Sequence, residues 1–550
     1  MRFPTALAVA LLAIAATSIT ACPYCEKNRE FIEGVPVVKI PGMGTWHREV
    51  STKNADAQDF CDQGLRFHYA FNSDEAIRGY TQAYRIDSNL AIAYWGIALE
   101  LGTNYNFPMD SIQAVGALKA IRKAQSLAGF ASPKERDMIA ALATRYNGRV
   151  DPDQYDREVA YNRAMKALHK KYPADADIAV IYGESIMNLN PWKLWTNDGK
   201  PIKGTTELMQ MLEKVIKRWP NNPGGHHFYI HVVEASPTPE KALPSALALD
   251  TLVPAAGHLV HMPAHTYIRA GEYKKAVEAN IKAVSVDSAY IAGGGTGFYT
   301  LVYYPHNMHF CAVAAAMDGQ FSRAMQYAQR LEEYLGPSVR LDPMIEGVFP
   351  TRLQILTKYH KWDDILAMTP PDSDLVVTNS VHQFARGMAF GSKGNIAEAG
   401  QCLTRLESLI GKFSDRAVLG AMNPAKSVMT VAILSLKGKI SEAQGDIDGA
   451  IKYLRAAAAS QDSLYYDEPE AWYIAVRESL GGLLLKKGSF KEAETVFRAE
   501  LVRHKNSGRA LFGLVESLKG QEKTKEASEA EAQYKLAWTR ADFPMTSGEL

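Results

Sequence analysis

The chain has 550 residues, of which 47% are hydrophobic and 22% charged, and its formal net charge is +1 at pH 7. This composition is typical of a soluble globular protein, and the length is ample for burying a large core. The near-neutral charge gives no reason to expect nucleic acid or an anionic membrane surface as a partner.

The first residues have the pattern of an export signal. Arg2 is followed by an apolar run over residues 6–16 and by small residues up to Ala21, which predicts a signal peptide over residues 1–21. The Cys22 that follows also fits a bacterial lipoprotein signal, in which Cys22 becomes a lipid anchor. We expect a secreted or periplasmic protein, lipid-anchored in the cell envelope if the source is bacterial. No other segment is apolar enough to predict a transmembrane span.

A lead segment over residues 22–54 precedes a long helical pattern that begins near Asp56. Small residues, aromatic residues and a closing acidic residue recur in it at a fixed period. The first instance comprises Phe60, Gly64, Phe67, Ala76, Tyr80, Ala83 and Asp87. A later one comprises Ala264, Tyr267, Gly271, Tyr273, Ala276, Ala283 and Asp287.

These residues resemble the tetratricopeptide-repeat (TPR) family over most of residues 55–540. The resemblance implies an all-α fold, a helical-repeat superhelix or α-solenoid, with a groove lined by the first helix of each repeat. We divide it into a repeat body over residues 55–426, whose groove is rich in histidine over 224–317, and C-terminal repeats over 427–545.

Two stretches interrupt the regular period. Residues 190–204 contain proline, tryptophan and glycine and predict a loop before the first histidine-bearing helix. Residues 291–304 contain a glycine run and predict a second loop. The separation of His227 from His261 is 34 residues, the length of one repeat, whereas His261 and His309 are 48 residues apart.

Histidine is concentrated in the predicted groove. Eight of the fourteen histidines of the chain lie there: His226, His227, His231, His258, His261, His265, His306 and His309. All except His226 are spaced so that they form three stripes, each on one face of a helix. Counting back fifteen residues from the repeat alanines Ala242, Ala276 and Ala324 gives His227, His261 and His309. Equivalent positions of stacked repeats point into one groove, so we expect these side chains to converge on a shared site.

Clustered imidazoles favour a transition metal. Many nitrogen ligands with few carboxylates suit copper or zinc, and iron is an alternative through His227, His231 and Glu234. The predicted ligands are His227, His231, His258, His261, His265, His306 and His309. His226 and Glu234 are outer-shell or alternative ligands. The histidine ligands and their spacing along the helices are similar to those of tyrosinase-like dicopper centres. The similarity does not extend to the rest of the sequence.

Other polar groups flank the predicted ligands. Glu234 is the candidate catalytic base, and Tyr229, Arg269 and Glu184 are candidates for substrate binding. The favoured hypothesis is an exported metalloenzyme, an oxygen-dependent oxidoreductase acting on a small organic substrate. The alternatives are a TPR scaffold that binds a peptide or protein partner in the same groove, and an envelope protein that stores or delivers metal.

Overall fold

A computed structural model describes residues 37–341 and 343–550. Helices account for nearly all its regular structure, so the all-α, TPR-like solenoid expected from the sequence is confirmed. The predicted signal peptide and Cys22 lie outside the described residues.

Fourteen α-helices run from the first repeat to the end of the histidine-rich stretch: α1 Ala55–His68, α2 Ser73–Ile86, α3 Ala91–Glu100, α4 Ser111–Ser126, α5 Pro133–Ala143, α6 Gln154–Lys171, α7 Ala176–Met187, α8 Thr205–Arg218, α9 Pro223–Val233, α10 Leu243–Leu252, α11 Gly257–His261, α12 Pro263–Ala270, α13 Tyr273–Ala292 and α14 Phe298–Met317. Two short 3₁₀ helices, Ala128–Phe130 and Pro239–Ala242, lie between them.

Twelve more helices follow: α15 Phe321–Leu335, α16 Pro343–Val348, α17 Thr351–Lys358, α18 Trp362–Ala367, α19 Val376–Ser392, α20 Ile396–Ile410, α21 Ala425–Ala443, α22 Ile447–Asp462, α23 Val476–Lys486, α24 Phe490–Arg503, α25 Gly508–Lys519 and α26 Thr524–Ala537. The 3₁₀ helices here are Gly336–Ser338 and Ser547–Glu549. Two strands, β1 Val418–Leu419 and β2 Asn423–Pro424, pair antiparallel.

Consecutive helices pack as hairpins, and the small residues of the repeat pattern make the close packing possible. α1 packs on α2 and α2 on α3. A Cβ atom added at Gly64 or Gly96 would lie 3.0 or 2.5 Å from the ring of Tyr80, so the two glycines accommodate this aromatic side chain between helices. The repeat alanines Ala276 and Ala324 are fully buried for the same reason.

The helix that opens the histidine-rich stretch has a strong start signal. The side chain of Asn222 accepts a hydrogen bond from the N–H of Gly225, and Pro223 occupies the first turn of α9. The next stretch is broken instead: Pro263, which has no N–H, separates α11 from α12. His258 and His261 are therefore on one short helix and His265 is on the next.

Buried side chains form two cores. The first is formed by residues from Met43 to Tyr359, with Tyr473 and Phe543 added from the C-terminal part, and contains the histidine-rich stretch; the second is formed by residues from Leu353 to Leu550. Phe321 and Met325 pack against both. The cores thus meet near residues 353–359. The division of the repeats at 426/427 stays a prediction.

The two expected loops differ in outcome. Residues 190–204 lie between α7 and α8, with an isolated bridge between Trp195 and Pro201, as predicted. The predicted loop over 291–304 is much shorter, because α13 continues to Ala292 and α14 begins at Phe298. Gly294 and Gly297 have φ of 96° and 94°, the left-handed region that favours glycine, and they form the turn.

In the described part of the chain, no helix is long and apolar enough to cross a membrane.

Candidate metal centre

Four helices, α9, α11, α12 and α14, bring six imidazoles together inside the first core. They form two groups whose ligand atoms lie within 4.8 Å of one another: His227, His231 and His258 in the first group, and His261, His265 and His306 in the second group. Five of the six are buried, and His306 is partly exposed. The six residues are called the histidine cluster below.

The imidazoles point their Nε2 atoms at one another. Nε2 of His258 lies 3.2 Å from Nε2 of His227 in the first group. In the second group, Nε2 of His261 lies 2.8 Å from Nε2 of His265 and 3.1 Å from Nε2 of His306. Two nitrogens bound to one ion at about 2.0–2.1 Å lie roughly 3 Å apart, so this spacing fits shared coordination.

The opposite ring atoms, Nδ1, face hydrogen-bond acceptors. Nδ1 of His227 lies 2.7 Å from the backbone oxygen of Tyr69, and Nδ1 of His261 lies 2.7 Å from Oδ1 of Asn280. Asn280 donates its own Nδ2 to the carbonyl of Ala276, which fixes the orientation of the amide. Both imidazoles therefore carry their proton on Nδ1 and present a lone pair on Nε2.

Glu234 links the two groups from outside. Its Oε1 accepts from Nδ1 of His231 at 2.9 Å, and its Oε2 accepts from Nδ1 of His265 at 2.6 Å. Burial opposes ionisation of this carboxyl group, but the imidazoles of His231 and His265 lower its pKa to about 2. A carboxylate that orients the far side of an imidazole ligand is the usual outer support of a metal site.

These contacts leave lone pairs facing each other without a proton between them. His261 and His265 each donate from Nδ1, so their Nε2 atoms meet at 2.8 Å as two acceptors. Two facing acceptors repel unless a cation lies against both. Nε2 of His231 and Nδ1 of His258, both buried, have no hydrogen-bond partner among the described residues. The donor atoms thus fit a bound metal ion.

Burial favours the uncharged form of five of the six imidazoles. It lowers the pKa of four of them well below 6.5, with a further lowering from neighbouring imidazoles: His227, His258, His261 and His306. Burial also lowers the pKa of His265, although Glu234 opposes the change. Neutral imidazole is the form that binds metal, so no proton has to be removed from these five at neutral pH.

Aromatic rings surround the cluster. Phe71 packs against the first group, with ring centroids 4.5 Å from His227 and 5.4 Å from His258. Phe310 packs against the second, 5.0 Å from His261 and 5.2 Å from His265. An apolar shell of this kind limits water access to a site and strengthens its electrostatic interactions.

Two predicted ligands lie apart from the two groups. His309 belongs to neither group, and its ring packs against Tyr473 at 5.9 Å. Pro305 lies inside α14 and removes one of its hydrogen bonds, and on this helix His306 contributes to the cluster while His309 does not. His226 faces away from the cluster, with Nδ1 3.0 Å from Ser245 and Nε2 2.8 Å from the carbonyl of Pro220.

The candidate substrate-binding residues occupy three different places. Tyr229 donates its hydroxyl to Glu213 at 2.8 Å, outside the cluster. Arg269 lies at the edge of the cluster, where its Nε donates to the backbone oxygen of Glu234 at 3.1 Å and its guanidinium lies 5.4 Å from the ring centre of Tyr466.

Glu184 belongs to a separate buried triad with His68 and Glu100. Nδ1 of His68 lies 2.8 Å from Glu100, and its Nε2 lies 3.4 Å from Glu184. Burial opposes protonation of His68, but the two carboxylates raise its pKa to about 10.

Sequence reasoning missed the residues that orient and enclose the imidazoles. Asn280 had a signal, because it lies one turn after the repeat alanine Ala276 and faces the same core. Phe71 and the carbonyl of Tyr69 had none, since they reach the cluster from a hairpin more than 150 residues away, as the 158-residue separation of Tyr69 and His227 records.

No protein-family model matches the chain, and no curated protein matches its sequence. Among solved structures, a human IFIT1 dimer with PPP-AAAA aligns at a TM-score of 0.34 and 13% identity, over 88% of this chain and 92% of that one. Yeast Tom70 aligns at a TM-score of 0.31 and 11% identity, over 87% and 98% of the two chains. Similarity this distant says nothing about the site.

Proposed function

We propose that the histidine cluster is a two-ion transition-metal centre, with three imidazoles for each ion. The observation that carries the proposal is the contact between the Nε2 atoms of His261 and His265. Both imidazoles donate their proton from Nδ1, to Asn280 and Glu234, so neither Nε2 atom bears one. Copper is the favoured metal and zinc the alternative, because the available donors are imidazole nitrogens. Iron would call for a carboxylate ligand, and both oxygens of Glu234 are engaged by imidazoles.

The activity that suits such a centre is oxygen-dependent oxidation of a small organic substrate. Copper, when bound, would supply the ability to bind and reduce oxygen. The residues around the metal would orient its ligands and limit water access. Glu234 holds the protons of His231 and His265 at Nδ1, and Phe71 and Phe310 pack against the imidazoles. Arg269, beside Glu234, is placed to attract an anionic substrate group.

Burial favours this proposal over the alternatives. His227 and His261 are 0% exposed, so a peptide lying in the groove would not contact them. An ion enclosed in this way also exchanges less readily than metal storage or delivery requires. The proposal includes a secreted or periplasmic location, where copper and oxygen would both be available to the centre.

Metal analysis tests the proposal. The protein is produced in medium supplemented with copper and zinc, and metal is measured by mass spectrometry together with circular dichroism. We expect about two ions per chain in the parent. His231→Ala with His265→Ala removes one imidazole from each group and the two partners of Glu234, so most of the metal should be lost.

His226→Ala is the matched control, because His226 lies on the same helix as His231 but faces Ser245. It should keep the parent's metal content. A folded parent that retains neither copper nor zinc would overturn the proposal and favour a scaffold.

A further inference from the structure

A large cavity lies in the second core, remote in sequence from the histidine cluster. Its volume is about 780 Å³, and its walls come mainly from α17, α19, α21, α23 and α25, with the segment 472–475 before α23 and the last residues Ser547, Gly548 and Leu550. Sites for small organic molecules typically have volumes of about 300–1,000 Å³. The cavity is therefore large enough for such a ligand.

The wall combines apolar surface with an excess of positive charge. Phe384, Met388 and Trp472 provide aromatic and aliphatic surface. Four cations and three carboxylates line the cavity: Lys358, Lys439, Lys486 and Arg509, and Glu442, Glu478 and Glu516. Glu516 is also paired with a lysine outside this lining, Lys519, at 3.3 Å. Cations thus outnumber carboxylates among the side chains of the lining.

The ammonium of Lys358, in the wall of this cavity, has fewer hydrogen bonds than it can donate. Its side chain is 5% exposed, and the single hydrogen bond found for its ammonium among the described residues is to Glu478 at 3.5 Å. The same oxygen of Glu478 accepts from Nε of Arg509 at 2.6 Å, which is the stronger contact. An ammonium has three donors, and lysine is rarely buried without close partners.

Two other polar groups of the same wall have unmet hydrogen bonds. Nε1 of Trp472 and Oγ of Ser435 are buried and have no hydrogen-bond partner within the described part of the chain. Buried polar groups are usually paired, and exceptions need an explanation. Three under-satisfied donors around one cavity indicate a ligand that carries hydrogen-bond acceptors.

We propose that this cavity binds a small organic carboxylate with an apolar body, and that Lys358 accepts its carboxylate group. The apolar body would pack against Phe384, Met388 and Trp472. The site is separate from the proposed metal centre and does not depend on metal. Burial lowers the pKa of Lys358, and Glu478 opposes this; a second carboxylate would favour the charged ammonium further.

The test compares a carboxylate with its neutral analogue. 1-Naphthaleneacetate and 1-naphthaleneacetamide are titrated into the full chain by calorimetry. We expect the carboxylate to bind at least tenfold more tightly than the amide, and Lys358→Met to remove that difference. Lys426→Met is the control, because Lys426 pairs with the exposed Asp415 and does not line the cavity. It should bind like the parent.

Stability separates a binding role for Lys358 from a structural one. Glu478 keeps Arg509 as its partner in Lys358→Met, so the unfolding temperature of the ligand-free variant should be equal to the parent's or higher. Equal binding of acid and amide by the parent, no binding of either, or unchanged binding in Lys358→Met would each overturn the proposal. So would a variant that is less stable and still distinguishes acid from amide.

Discussion

At the scale of single residues, the arrangement around Glu234 explains why the two imidazole groups face inward. One carboxylate has two oxygens, and each accepts one Nδ1 proton, from His231 and from His265. Because an ionised carboxylate offers acceptors only, it fixes the tautomer of both rings. A glutamine of the same shape could not accept a hydrogen bond from both imidazoles, because its amide has one acceptor atom and one donor atom.

The first prediction replaces this carboxylate. In Glu234→Gln the amide nitrogen would face an imidazole N–H, so one imidazole must lose its hydrogen bond or change tautomer. We expect the affinity for copper or zinc to fall by about 10- to 100-fold, with the fold retained. Competition with a chelator of known affinity measures it. Glu213→Gln changes a carboxylate that contacts Tyr229 instead, and it should leave the affinity unchanged. Equal affinities for the two variants would contradict the orienting role of Glu234.

The second prediction concerns His68, whose pKa is raised to about 10 by Glu100 and Glu184 against the effect of burial. This pKa is above the value of 6.5 in the unfolded chain. Between pH 6.5 and about 10 the folded protein therefore binds one more proton than the unfolded chain does. The resulting stability is complete below pH 6.5 and is lost as the pH rises through about 10, at roughly 1.4 kcal/mol per pH unit.

Hydrogen exchange at the imidazole C2 position, followed by mass spectrometry, reports the pKa of individual histidines. His68 should remain protonated at pH 8, whereas His226, whose pKa is lowered by burial, should be neutral. A neutral His68 at pH 8 would show that the two carboxylates do not act together on it.

At the scale of elements, the position of each imidazole depends on how its helix begins and ends. α9 begins at a cap provided by Asn222, which is completely buried and also lies 3.4 Å from Asp177. α11 and α12 are separated at Pro263, and α14 contains Pro305. The cluster is therefore built from short or interrupted helices, whose own stability is low and which depend on packing.

The third prediction tests the cap. Asn222→Ala removes the acceptor for the N–H of Gly225 and should lower the free energy of unfolding of the metal-free protein by about 1–2 kcal/mol. Urea denaturation measures this change. Asn54→Ala removes the equivalent cap of α1 and provides the comparison. Loss of this cap loosens the helix that carries His227 and His231, so the affinity for metal should fall and bound metal should stabilise Asn222→Ala less than it stabilises Asn54→Ala. An equal response of both variants to metal would contradict a link between this cap and the cluster.

At the scale of the whole molecule, the sequence predicts the repeat architecture well because it depends on a local pattern. Ala276 and Ala324 mark where helices approach closely, and both are buried as the period requires. The convergence of His227, His231, His261 and His265 followed from the same register. On α14 the register predicted both His306 and His309, and His306 alone joins a group. Contacts such as that of Phe71 depend on superhelical curvature, which no local spacing encodes.

The last prediction follows from the division into two cores. The histidine cluster lies entirely in elements of the first core, whereas the cavity beside Lys358 lies among elements of the second. Bound metal stabilises the states in which its site is formed, so its removal should act most strongly where the ligands are. Hydrogen–deuterium exchange of metal-loaded and chelator-treated protein should show faster amide exchange after treatment over residues 223–317 and in the hairpin around Phe71. Residues 376–537 should change little. Equal acceleration in both regions would mean that the two cores open as one unit, and no change in either would mean that the cluster binds no stabilising ion.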